Sequence, residues 1–137
     1  LKFWKPDIIQ IPYNIIDKRL HKNLLLKKIK KYKIEVHVRS IFLQGLLTKK
    51  ERPKKFYKWN KLLDKWFLWC KQNQLKPFEA AFLYVLKRKE IDKIVIGFDN
   101  PNQIIDIVKI NKKSINNFPN LECKDRMLLN PYNWSKL

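Results

Sequence analysis

Acidic residues are scarce in this chain: 12 Asp and Glu stand against 31 Lys and Arg, for a formal net charge of +19. Glycine is scarcer, and Gly45 and Gly97 are the two places where a missing Cβ lets the backbone turn sharply or approach a ligand closely. The two cysteines, Cys70 and Cys123, are lone thiols without CxxC spacing, which fits a reducing, cytoplasmic setting better than a disulfide scaffold. No HExxH, no Cys/His cluster and no paired acidic motif occurs, so no metal site is expected. No apolar run approaches the ~18 residues that span a membrane, and the opening Leu1-Lys2-Phe3-Trp4-Lys5-Pro6-Asp7 has no signal-peptide core. Methionine occurs once, at Met127, and the chain opens at Leu1, which leads to the expectation of a missing beginning.

What is present is a foldable composition. Hydrophobic residues make up 45% and aromatics 13%, enough for a packed core and too much for a disordered chain. The charge has two readings. Basic residues release counterions from nucleic acid, which suggests a polyanion partner. Yet only five of the 31 are Arg (Arg19, Arg39, Arg52, Arg88, Arg126), the residue that base reading and bidentate phosphate contacts favour. Lys, Ile and Asn are also what AT-rich codons encode, so compositional drift explains the same excess.

Along the chain, β-like runs alternate with helical stretches. Ile8-Ile9-Gln10-Ile11 reads as a short buried strand stopped by Pro12, which has no ladder donor. Ile16, Leu20, Leu24, Leu25 and Ile29 have helical spacing, with Lys27, Lys28, Lys30 and Lys31 loading the C-terminal end. Strict alternation in Ile34-Glu35-Val36-His37-Val38-Arg39-Ser40 marks the clearest strand. A polar loop runs from Thr48 to Pro53. A helix follows over about 54–72 with Phe56, Trp59, Leu63, Trp66 and Cys70 on one face. Pro77 starts a helix over 78–88, and Lys93 to Gly97 reads as a buried strand. Asn100-Pro101 opens a last helix with an apolar stripe of Ile104, Ile107 and Val108, and residues 111–137 read as an irregular C-terminal extension.

This order is that of parallel βαβ units, so the fold class is α/β: about three parallel strands with flanking helices. Right-handed crossovers place the strands side by side, and three strands cannot close a barrel, so their edges need partners. At 137 residues the chain is one domain, well short of the roughly 250 of a complete eight-stranded α/β barrel. Ligands sit at the C-terminal ends of such strands, which draws attention to Gln10, Arg39-Ser40 and Gly97, although ordinary turn residues give the same pattern. The helix after Gly97 aims its N-terminal amides at that place, which favours an anion. Glu35, His37 and Arg39 share strand parity, and they read as a polar layer inside the barrel. The aromatic face of Phe56, Trp59 and Trp66, with Trp69 beside it, would also suit base stacking, but its helical spacing reads first as a core face.

Three blocks carry a resemblance. Ile8-Ile9-Gln10-Ile11-Pro12-Tyr13-Asn14 with Asp17-Lys18-Arg19 looks like the sixth strand and loop of the aldo/keto reductase family. Val38-Arg39-Ser40-Ile41-Phe42-Leu43-Gln44-Gly45-Leu46-Leu47 resembles its seventh strand and loop, and Ile91 to Phe98 with Asn102-Gln103-Ile104 is similar to its eighth strand and cofactor loop. The resemblance implies that residues 1–137 are the C-terminal part of one (β/α)8 barrel domain that binds NADP or NAD and acts with it on a small carbonyl or alcohol. It also implies roles: Gln10 on the nicotinamide carboxamide, Ser40 and the backbone near Phe42 and Gly45 on the pyrophosphate, Gly97 and Phe98 along the adenosine, and Gln103 near the ribose or its 2′-phosphate. Arg39 stands where the family usually stacks an aromatic on the nicotinamide. Neutral Gln103 stands where many members have a base, which leaves NAD against NADP open.

The family's catalytic Asp, Tyr, Lys and His come from earlier strands and have no counterparts here, so no catalytic residue is assigned and the chain alone is expected to be inactive. Two other readings stand beside this one. The chain is a small basic nucleic-acid-binding module, or it is a short protein that self-associates through its exposed strand edges.

Overall fold

A computed structural model describes residues 4–22, 24–98, 100–110, 115 and 117–137, with the side chains of residues 21 and 22 left undescribed. Its centre is strand β2 (Glu35–Arg39), flanked by β1 (Ile8–Pro12) and β3 (Lys93–Ile94) in one parallel sheet of order β1-β2-β3. The register pairs Gln10 with His37, Pro12 with Arg39, and His37 with Lys93. Pro12 ends β1 as a residue without an amide hydrogen must, and Tyr13 resumes the ladder by donating its N–H to the Arg39 carbonyl at 3.1 Å.

Alternation in β2 divides the sheet into two unlike faces. Ile34, Val36 and Val38 are fully buried and join one apolar cluster with side chains from the helices. Glu35, His37 and Arg39 point the other way, with Gln10 beside them on β1. On that face Glu35 Oε1 accepts from His37 Nε2 at 2.9 Å and from Lys93 Nζ at 3.0 Å. Those two bonds, His37 first, hold the Glu35 carboxyl below its ordinary range. The expected polar layer is therefore partly open rather than buried: His37 is half-buried, and Gln10 and Arg39 are exposed.

Helices α1 (Arg19–Lys22) and α2 (Leu25–Lys31) replace the single helix expected from Ile16. Asn14 Oδ1 accepts the amides of Ile16 and Asp17, and Asp17 accepts from the Arg19 guanidinium at 2.7 and 2.8 Å. These side-chain bonds hold 14–19 in a turn, in competition with helical winding. Leu24 then adopts φ 52°, so the apolar stripe restarts at Leu26 and Ile29, while Leu24 and Leu25 face solvent.

The next helix begins as a 3-10 segment (Lys54–Trp59) and continues as α3 (Asn60–Gln72). Phe56, Trp59, Leu63, Trp66 and Cys70 are all buried on the face that periodicity indicates, so these aromatics belong to the core and not to a stacking surface. Burial pushes the Cys70 thiol up to about 12, and Cys123 is also raised by burial. Helix α4 (Pro77–Leu86) starts on Pro77 and buries Ala80, Ala81, Leu83, Tyr84 and Val85. Tyr84 stacks on Tyr13 with ring centroids 5.9 Å apart, and burial, then Tyr84, raises the Tyr13 phenol.

β3 is shorter and more exposed than the expected buried strand of 93–97. Its pairing covers Lys93–Ile94, extended by bonds from Asp92 N to Val36 O and from Val95 N to Val38 O, and Val95 is exposed. Helix α5 (Pro101–Val108) is capped by the Asn100 side chain, as its Asn-Pro start predicts, but no α5 residue is buried and Val108 is 78% exposed. The end of the chain has more order than expected, with α6 (Arg126–Leu129) and a 3-10 segment (Pro131–Lys136). Leu121, Leu128 and Leu129 are buried, and Lys58 holds Asp125 at 3.0 Å. Among the described residues no helix is long and apolar enough to cross a membrane.

Candidate functional site

A cleft of about 1180 Å3 opens at the C-terminal ends of β2 and β3. One wall is the loop after β2. Ser40, Leu43, Gln44 and Gly45 all have positive φ, from 47° to 81°, a backbone state that costs a non-glycine residue about 1–2 kcal/mol. Packing and hydrogen bonds maintain it. Leu43 N–H donates to the Ser40 carbonyl, Leu47 N–H to Phe42, and Thr48 donates both its N–H and its hydroxyl to Gly45. Asn14 Nδ2 reaches the Ser40 carbonyl at 3.2 Å, and Trp66 Nε1 binds the Leu47 carbonyl at 2.9 Å from within the core. Among the described residues nothing engages the amides of Phe42, Gln44 and Gly45. Backbone donors held in a tight, partly left-handed turn make a concavity suited to an anion.

The charges around the cleft are unevenly distributed. Arg39 Nη1 donates to Ser40 Oγ at 3.1 Å, placing a guanidinium and a hydroxyl together at the end of β2. Lys49 and Arg52 from the loop after β2, and Lys76 at the start of α4, add cations to the lining, and Glu51 adds a carboxylate among them. Arg52 is pinned by Asn60 Oδ1 at 2.8 Å and by an ion pair with Asp64, so it also ties this wall to α3. The opposite wall, from Val95 through α5, contributes Gly97, Phe98, Gln103 and Asp106.

Seven of the eight residues singled out in the sequence line this one cleft: Arg39, Ser40, Phe42, Gly45, Gly97, Phe98 and Gln103. Gln10 lies outside its lining, on the sheet face shared with His37. Sequence reasoning missed Lys49, Arg52, Lys76, Phe78 and Trp134. Phe78 stacks on Phe42 with centroids 5.1 Å apart, and Trp134 packs edge-on against Phe56 at 4.7 Å. The only sign of the cations was that they stand in or beside loops. Trp134 gave none, because its contact spans most of the chain.

The sequence profile of the aldo/keto reductase family matches residues 2–122. The chain belongs to that family. Members of this family bind a nicotinamide cofactor and carbonyl substrates, and the family's barrel accounts for the parallel sheet with helices between its strands. Among solved structures, the chain is similar to an aldo-keto reductase from Bacillus halodurans, with 20% identity and a TM-score of 0.67 for the apo form, covering 84% of this chain and 41% of that one. For the holo form the values are 19%, 0.66, 84% and 40%. It is also similar to the glycerol dehydrogenase of Gluconobacter oxydans, with 20% identity, a TM-score of 0.64 and coverage of 84% and 40%. At such identities the likeness shows the fold, which is part of a (β/α)8 barrel, and the chain spans about two fifths of the length of these structures. No curated protein matches.

Proposed function

We propose that this chain is the cofactor-binding, C-terminal portion of an NAD(P)-dependent aldo/keto reductase, corresponding to barrel strands six to eight. The observation that carries the reading is the single cleft, which gathers residues from two loops more than 50 positions apart in sequence, Arg39 to Gly45 and Gly97 to Gln103. Its dimensions suit a dinucleotide, and its anion-suited turn and nearby cations suit a pyrophosphate.

In this reading Ser40 Oγ and the amides near Phe42 and Gly45 hold the pyrophosphate. Arg39 would contact the nicotinamide from the position where the family usually has an aromatic ring, since a guanidinium can also stack. Gln10 bonds the carboxamide from the neighbouring strand. Gly97 and Phe98 border the adenosine, and Gln103 meets its ribose. The cofactor, once bound, supplies a hydride to a carbonyl carbon. The residues here bind and orient; a proton donor and its neighbours would come from strands one to five, so the chain alone is inactive.

Three features support completion by further strands. Among the described residues the outer edges of β1 and β3 have no partner in the sheet, and Ile104, Ile105 and Val108 present an apolar side of α5 to solvent. The face bearing Gln10 and His37 is open where a closed barrel packs its interior. We place the protein in the cytoplasm, a setting that suits its two free, buried cysteines.

The test is cofactor affinity by calorimetry, in the native chain and in Ser40→Ala. We expect measurable NAD(H) or NADP(H) binding that weakens about tenfold in the variant, as expected for a lost hydrogen bond to a charged group. An unchanged affinity would remove Ser40 from the site.

A further inference from the structure

We propose that the α5 wall of the cleft selects NAD(H) over NADP(H), through Asp106 acting with Gln103. The inference rests on the reading above, in which the cleft takes a nicotinamide cofactor with its adenosine ribose beside Gln103. Gln103 and Asp106 are three residues apart on α5, so they share one face of the helix, and both line the cleft. The cations of the lining come from elsewhere, Arg39, Lys49 and Arg52 from the end of β2 and its loop, with the carboxylate of Glu51 among them, and Lys76 from the start of α4. Among the described residues, none of the cleft's cations comes from β3 or α5.

The two cofactors differ by one phosphate on the 2′ oxygen of that ribose. A free 2′-hydroxyl is a donor, and a carboxylate is a natural acceptor for it; an amide side chain can accept as well. A 2′-phosphate has no donor to offer at neutral pH and brings negative charge to a wall whose one charged group is negative. Like charges at short range disfavour the phosphorylated cofactor.

The whole chain pulls in the opposite direction. A net charge of +19 attracts the more negative NADP(H) at long range. That attraction is screened beyond about 8 Å at 0.15 M ionic strength, whereas a contact at the ribose is much less affected. Ionic strength therefore separates the two effects, and the local preference must sharpen as salt is raised.

The experiment is calorimetric titration of the chain with NADH and NADPH at 0.05, 0.15 and 0.5 M salt, repeated for Asp106→Asn and for Gln103→Arg/Asp106→Asn. The expected result is NADH binding about tenfold tighter at 0.15 M, equivalent to ~1.4 kcal/mol. The ratio should widen with salt, narrow in the single variant and reverse in the double variant. NADPH binding equally or more tightly at 0.15 M, or a ratio untouched by Asp106→Asn, overturns the inference and leaves the cofactor reading standing. Binding of neither cofactor overturns both.

Discussion

The two walls of the cleft are built to different standards. The β2 wall is anchored in the core: Trp66 reaches out of α3 to hold Leu47, Asn14 holds Ser40, and Phe42 stacks on Phe78. The β3 wall hangs on a two-residue strand and a helix with no buried residue. Both walls face the same space, yet only one is tied to the core by side-chain contacts. If the cleft takes a dinucleotide as proposed, the wall proposed to hold the pyrophosphate is the one its own contacts hold in place, and the wall proposed for the adenosine has fewer contacts to hold it.

Substitutions can break that contrast. The largest effect is expected at Trp66, which is fully buried and supplies a hydrogen bond: Trp66→Ala should cost ~3–5 kcal/mol in urea denaturation. A cost under 1 kcal/mol would mean that the β2 wall is not anchored in this way. Gly45→Ala comes next, at about 1–2 kcal/mol, because φ is +81° there. The added Cβ would meet only Thr48 Oγ1, at 3.8 Å, so the loss is conformational and the packing should survive.

A smaller effect tests how β3 is attached. Lys30 Nζ grips both oxygens of Asp92 at 2.7 Å, and this bond holds the Asp92 carboxyl below its ordinary 3.8. A lowered carboxyl favours the folded state above the unfolded value and loses that contribution as pH falls through the folded one. Asp92→Asn should thus lower stability by roughly 0.5 kcal/mol at pH 7, since the pair is partly exposed, and the gap should close below about pH 4. A gap that persists at acid pH would assign the effect to packing. The smallest change belongs to α5, where Ile104→Ser and Val108→Ser should each stay within about 0.5 kcal/mol. A loss above 1 kcal/mol would show that this helix packs more tightly than its exposure indicates.

The same asymmetry explains what the sequence revealed. β2 and α3 were legible because each carries its own period, and the faces indicated by Val36, Val38, Leu63 and Trp66 are buried. The helix expected from Ile16 failed on local competition: Asn14 and Asp17 offer the backbone other bonds, which hydrophobic spacing does not register. The buried strand expected over 93–97 failed, because pairing stops at Ile94 and Val95 is exposed; on α5 the helix formed as its spacing indicates, but a period only marks the face offered to a neighbour, and here Ile104 and Val108 meet solvent. The cleft residues at strand ends were accessible to reasoning from parallel topology. Lys76, Phe78 and Trp134 were not, because they reach the cleft by tertiary packing alone.

The most direct test of the central claim is amide chemical-shift mapping of the isotope-labelled chain during titration with NADH. The account predicts perturbations confined to Ser40–Gly45, Gly97–Gln103 and the side-chain amide of Gln10. Shifts spread over the lysine-rich faces of α2 and α3, with those loops silent, would contradict it.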